Sequence, residues 1–136
     1  MTTEESIARY GLRPVEKHLA DIRAILADDV QAELDGRGRE DDLALLCCVQ
    51  LFSAALPDDS LVIWAAKSAS FDLDCYLGIQ LLCGAGLEAT KRYLAGHPGP
   101  EAKDALNSIL ESEKWDDFEN FAPDEYMAYH ERYFRA

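Results

Sequence analysis

Apolar positions along the chain recur at three- and four-residue steps rather than in alternation. Val15, His18, Leu19, Ile22, Ile25, Leu26, Val30 and Leu34 form the longest such series, with Glu16, Lys17, Asp21, Arg23 and Asp28 between them. That period predicts an amphipathic helix. Pro14 suits its first turn, where a missing N–H loses nothing, and Gly36-Arg37-Gly38 ends it. The next segment, Leu43 to Leu56, is apolar at almost every position except Gln50 and Ser53. A helix apolar on all sides must be surrounded, so this one is predicted to be the centre of the core. Glu40-Asp41-Asp42 places carboxylates at its N-terminus, where the helix dipole favours them.

Pro57-Asp58-Asp59-Ser60 breaks the chain before a further helix, Leu61 to about Ala69, in which Trp64 is a core anchor. Ser70 or Asp72 can cap the segment that follows, and Leu73 to Cys83 is again almost wholly apolar. Gly84-Ala85-Gly86 interrupts it. Leu87 to Leu94 is predicted as a short helix with Thr90, Lys91 and Arg92 facing water, and His97-Pro98-Gly99-Pro100 as a loop. Glu101 to about Lys114 carries Ala102, Ala105, Leu106, Ile109 and Leu110 on one side, and a last helix runs from near Pro123 to about Phe134. No stretch alternates as a strand would. The pattern predicts one all-α domain over residues 1–136, a compact array of six or seven helices joined by short Gly/Pro turns. No residue pattern repeats, so a regular solenoid is not expected.

With 136 residues and 49% hydrophobic content, the chain can build one core and is too apolar to be disordered. Its charge is lopsided: 13 Lys and Arg against 26 Asp and Glu, a formal net charge of −13. A surface of that sign repels phosphate, which speaks against nucleic acid and against an anionic membrane face. The acidic, polar opening Met1 to Glu5 lacks the cations and apolar stretch of a secretory signal, and no apolar run spans a bilayer. A cytoplasmic protein is expected. The electrostatic option left open is a basic protein partner.

Little in the sequence suggests catalysis. Cys47, Cys48, Cys75 and Cys83 sit in apolar surroundings without Cys-x-x-Cys or Cys/His spacing, and are read as buried reduced thiols. His18, His97 and His130 share no useful spacing. Gly84-Ala-Gly86-Leu-Glu-Ala89 fits a dinucleotide fingerprint on paper, but no second parallel strand can follow it. Lys67 is the one charge between Leu61 and Phe71; its stem is expected over Trp64 or Phe71 with Asp72 or Asp74 as partner, a catalytic amine being the alternative. No catalytic residue, metal or cofactor is predicted.

The strongest departure from a generic helical domain is near the C-terminus. Trp115, Phe118 and Phe121 recur every third residue, followed by Tyr126. Between and around them stand Glu111, Glu113, Asp116, Asp117, Glu119, Asp124 and Glu125, seven acids against one lysine. Rings supply large contact area at small entropic cost, and carboxylates around them select a cation. These eleven residues are the candidate partner-binding set; the alternative is that the rings close the core. A second acidic stretch, Asp28 to Asp42, would enlarge the same face if the fold brings the two together. The expected function is a small acidic intracellular protein-binding module, an inhibitor or immunity-type protein neutralising a basic partner such as a toxin. A helical adaptor or self-associating subunit with apolar contacts, and an enzyme with an unrecognised site, are the alternatives.

Overall fold

The computed structural model describes residues 1–135, and among them every regular element is helical. The α-helices are α1 (Thr3–Tyr10), α2 (Leu19–Leu34), α3 (Leu43–Ser53), α4 (Asp59–Lys67), α5 (Phe71–Tyr76), α6 (Leu87–Gly96), α7 (Pro100–Lys114) and α8 (Pro123–Arg135). Short 3-10 turns occupy Glu16–His18 and Ile79–Cys83. The all-α class is as expected, with eight helices rather than six or seven.

The additional helix at the start is α1. Its end is fastened by a capping box: Glu5 N–H donates to Thr2 Oγ1, and Thr2 N–H donates to the Glu5 carboxylate, both at 3.1 Å. Pro14 does not open α2; Val15 is extended and exposed, and α2 begins only after the 3-10 turn. The apolar run Leu73 to Cys83 is also not one helix. The Lys67 ammonium donates to the carbonyls of Asp74 (2.5 Å) and Leu77 (2.6 Å), 3.3 Å from the Asp74 carboxylate. Those are carbonyls that a continued helix would use for itself, so α5 stops at Tyr76.

α3 is the centre, with nine of its eleven residues buried. Ile22 and Leu26 of α2, Ile63 of α4, Leu81 and Leu82, Ile109 of α7 and Met127 of α8 complete the core around it. Its one buried amide, Gln50, donates to Ser6 Oγ (3.2 Å) and the Gly11 carbonyl (2.8 Å), which ties α1 to the centre. Arg23 clasps the buried Asp59 with two bonds, 2.7 and 3.0 Å, and so joins α2 to α4.

Several facing assignments need correction. Leu34, at the end of the α2 stripe, is exposed, and Lys91 is largely covered and paired with Glu88 and Glu113. Thr90 is buried, because it continues the inward stripe of Leu87 and Leu94 at helical spacing. Leu110 is exposed, one residue off the stripe of Ala102, Ala105 and Ile109. Cys75 is exposed as well, two residues from the inward Leu73 and therefore on the far side of α5.

Candidate functional site

The C-terminal acidic segment begins where α7 ends. Asp117 N–H donates to the Ser112 carbonyl (3.2 Å) and Asp116 N–H to that of Glu113 (3.3 Å), with Asp116 left-handed at φ +63°. This is a Schellman cap with aspartate where glycine is usual. Asn120, at φ +56°, reverses the chain again. Asp116→Gly is expected to stabilise the fold by about 1 kcal/mol, because glycine adopts that backbone without the side-chain penalty. Urea denaturation checks it; an unchanged midpoint would place the strain elsewhere.

Because the segment turns rather than winds, its equally spaced rings do not share a face. Trp115 is 74% exposed, Phe118 is 7% exposed, and Phe121 is half-buried. Phe118 packs edge-on against Phe121 (5.4 Å), which in turn meets Phe52 (6.5 Å) and Tyr126 (5.7 Å). So Phe118 serves the core, Phe121 and Tyr126 lie at its margin, and Trp115 stands out. The Trp115 indole N–H donates to Glu111, one turn back on α7, at 3.2 Å.

Of the carboxylates, Glu111, Asp116, Asp117, Glu119, Asp124 and Glu125 are exposed. Glu113 is half-buried and paired with Lys91 at 3.0 Å, so it is already neutralised within the chain. Beside Trp115 in sequence lies a groove of about 260 Å³, lined by Asp117, Glu119 and Glu125, by the rings of Phe121, Tyr126 and Tyr129, and by no cation. Gln80 donates to the Asp117 carbonyl at 2.8 Å and holds the loop to the 3-10 turn. Burial pushes the Tyr126 phenol up to about 12, so it stays a neutral wall.

From the groove an exposed side of α8 runs on. Glu125, Tyr129 and Tyr133 are exposed at four-residue steps, covering about 12 Å of one side of the helix. At its far end Tyr133 donates to Asp42 at 2.6 Å, and Tyr76 donates to the other Asp42 oxygen. Asp42, the last residue of the second acidic stretch, therefore lies at the opposite end of this tyrosine-bearing side from Glu125. The second is partly spent internally: Arg39 donates to Glu33 at 2.7 Å while lying 4.9 Å over the Tyr76 ring, and Ser70 donates to Glu33.

His130 lies beneath this side, buried, with neither ring nitrogen hydrogen-bonded and with Tyr126 (4.7 Å) and Tyr129 (5.2 Å) edge-on. Burial lowers its pKa below the ordinary 6.5. Below that value the unfolded chain takes up a proton that the fold resists, so stability should fall as the pH drops from 6.5 toward the folded value. His130→Phe should show a shallower loss between pH 7.5 and 5.5 in denaturant titrations. An equal slope in both proteins would remove His130 as the cause.

Other groups singled out by sequence are committed elsewhere. The Cys47, Cys48 and Cys83 thiols are pushed up by burial, Cys47 and Cys83 to about 12, which keeps them protonated. Lys67 is closed over its carbonyls and Asp74. Among the described residues no three His, Cys, Asp or Glu side chains gather as a metal site requires, and no helix is long and apolar enough to cross a membrane. Two features escaped sequence reasoning. Gln80 was hidden in an apolar run. Asp29 is 7% exposed, and it extends the inward stripe of Leu19, Ile22 and Leu26 by three residues, a spacing visible in the sequence. No protein-family model matches the chain, and neither curated proteins nor solved structures give a match.

Proposed function

We propose that this chain is a protein-binding module that neutralises a basic protein partner, in the manner of an inhibitor or an immunity protein acting on a toxin, without a catalytic step of its own. The observation that carries this is Trp115: a tryptophan 74% exposed, hydrogen-bonded to Glu111, in a segment whose free carboxylates and rings line a cation-free groove. An aromatic side chain has only two rotatable bonds to order on docking, and rings of this kind dominate interface energies. The carboxylates steer a cationic surface toward it and select against anionic ones. Occlusion of the partner's working cleft then follows from covering it. A standard interface buries about 800 Å² per partner, roughly a tenth of this molecule's 7417 Å² surface.

The test is photo-crosslinking in cells of origin with Trp115 left in place, from a benzophenone amino acid at the adjacent exposed Lys114 and, as control, at the exposed Lys103 toward the other end of α7. A basic protein should be captured from position 114, not from 103, and lost when Asp117→Asn, Glu119→Gln and Glu125→Gln are combined. No adduct from position 114, or an adduct undiminished in the neutralised variant, would overturn the proposal.

A further inference from the structure

Two surface recesses combine carboxylates with tyrosine and differ in their cations. One, of about 430 Å³, is lined by Glu33, Asp41, Asp42, Tyr76 and Arg39. There the chain supplies its own guanidinium: Arg39 lies 4.9 Å over the Tyr76 ring and donates to Glu33 at 2.7 Å. Ring and carboxylate together use both properties of the group, its planar face and its N–H edge. The other is the groove at the start of α8, with Asp117, Glu119 and Glu125 beside Phe121, Tyr126 and Tyr129, and no cation lines it. Its three carboxylates and the Tyr129 ring are exposed, so a ligand reaches them from solvent. The aromatic pairs formed by these three rings are inclined by 53 to 84°, so among the described residues no parallel neighbour stacks on them.

We propose that this groove binds the guanidinium of an arginine on a basic protein partner, as the first recess binds that of Arg39. Glu125 and Tyr129 stand one turn apart on the same side of α8, so one planar group can lie on the ring and turn its N–H edge to the carboxylate. Asp117 and Glu119 complete the negative rim. A water-sized group takes about 30 Å³, so the groove's roughly 260 Å³ holds about eight of them, room for the side chain from Cβ to the guanidinium. Lysine suits the groove less, because its ammonium is compact, strongly hydrated and without a planar face to lay on a ring. A divalent cation suits it less still, since it needs several converging oxygen ligands and half of the ionic and aromatic wall is ring. The net charge of −13 favours arrival of a cationic side chain, and the rings select the guanidinium. Only the origin of the arginine rests on the docking function proposed above; the groove itself is testable without a partner.

The test titrates the ¹⁵N-labelled full chain with Nα-acetyl-arginine N-methylamide while following backbone amides by NMR. Saturable shifts are expected at Asn120, Tyr126 and Tyr129, and not at Arg39 and Asp41, where the chain's own guanidinium already sits. Binding should be about tenfold weaker with the citrulline analogue, which keeps the shape and lacks the charge, and about threefold weaker with the lysine analogue. Tyr129→Ala should weaken arginine binding about threefold, and Glu119→Gln combined with Glu125→Gln should do so at least as much. All three side chains are exposed, so both variants are expected to fold. Equal response to citrulline or to lysine, no saturation with arginine, equal shifts at Arg39 and Asp41, or binding undiminished in both variants would overturn the arginine site. Arginine binding without crosslinks from position 114 leaves the groove standing and removes the docking function; crosslinks without arginine binding do the reverse.

Discussion

Gly84→Ala is expected to lower the unfolding free energy by about 3 kcal/mol, at the upper end of what overpacking usually costs. A Cβ at this position would stand 2.5 Å from the Phe52 carbonyl oxygen, 3.0 Å from its Cα and 3.1 Å from its carbonyl carbon. All three are backbone atoms, so no side-chain rotation relieves the clash, and the 3-10 turn Ile79–Cys83 must move off α3. The Gly84 backbone, at φ −59°, is ordinary for any residue, which makes the penalty purely steric. Phe52 also carries Phe121 and Tyr126 on its ring, so the displacement reaches the candidate groove. Gly86→Ala is the contrasting control: nothing lies within 4 Å, but φ is +99°, and the expected cost of about 1–2 kcal/mol comes from the backbone alone. Urea denaturation separates them. A Gly84→Ala loss below about 0.5 kcal/mol would contradict the close approach of the two segments.

Trp115→Ala is expected to weaken partner binding by about 2 kcal/mol or more, roughly 30-fold in Kd, while leaving stability within about 0.5 kcal/mol. The ring is largely in solvent and its one hydrogen bond, to Glu111, is exposed, so the fold loses little with it. Phe118→Ala should do the opposite. That ring is 7% exposed and packed against Phe121, and its truncation should cost about 3–4 kcal/mol of stability. Denaturation curves and the Kd of the captured partner read both effects. Equal binding by wild type and Trp115→Ala would remove the anchor from the interface.

These contrasting expectations show what sequence could and could not carry. The three- and four-residue period of Leu19, Ile22 and Leu26, the continuous apolarity from Leu43, and the stripe of Ala102, Ala105 and Ile109 are local signals, and the corresponding helices are where they point. α1 is short and polar outside; its legible signal was the Thr2 and Glu5 pair, not periodicity. The break after Tyr76 was illegible, because it depends on Lys67 reaching carbonyls seven and ten residues away. Composition located the acidic aromatic segment but not the division of its rings. That division is made by Asp116 and Asn120 adopting a backbone that nothing in a run of acids announces.

The most direct measurement is the association rate of the captured partner, by stopped flow, between about 50 and 500 mM salt, a range over which the screening length falls several-fold. The wild-type rate should fall at least tenfold across it. With Asp117, Glu119 and Glu125 neutralised, the rate should start low and stay nearly flat. A wild-type rate indifferent to salt, or a neutralised variant that associates as fast as the parent, would contradict electrostatic docking at the α7–α8 face.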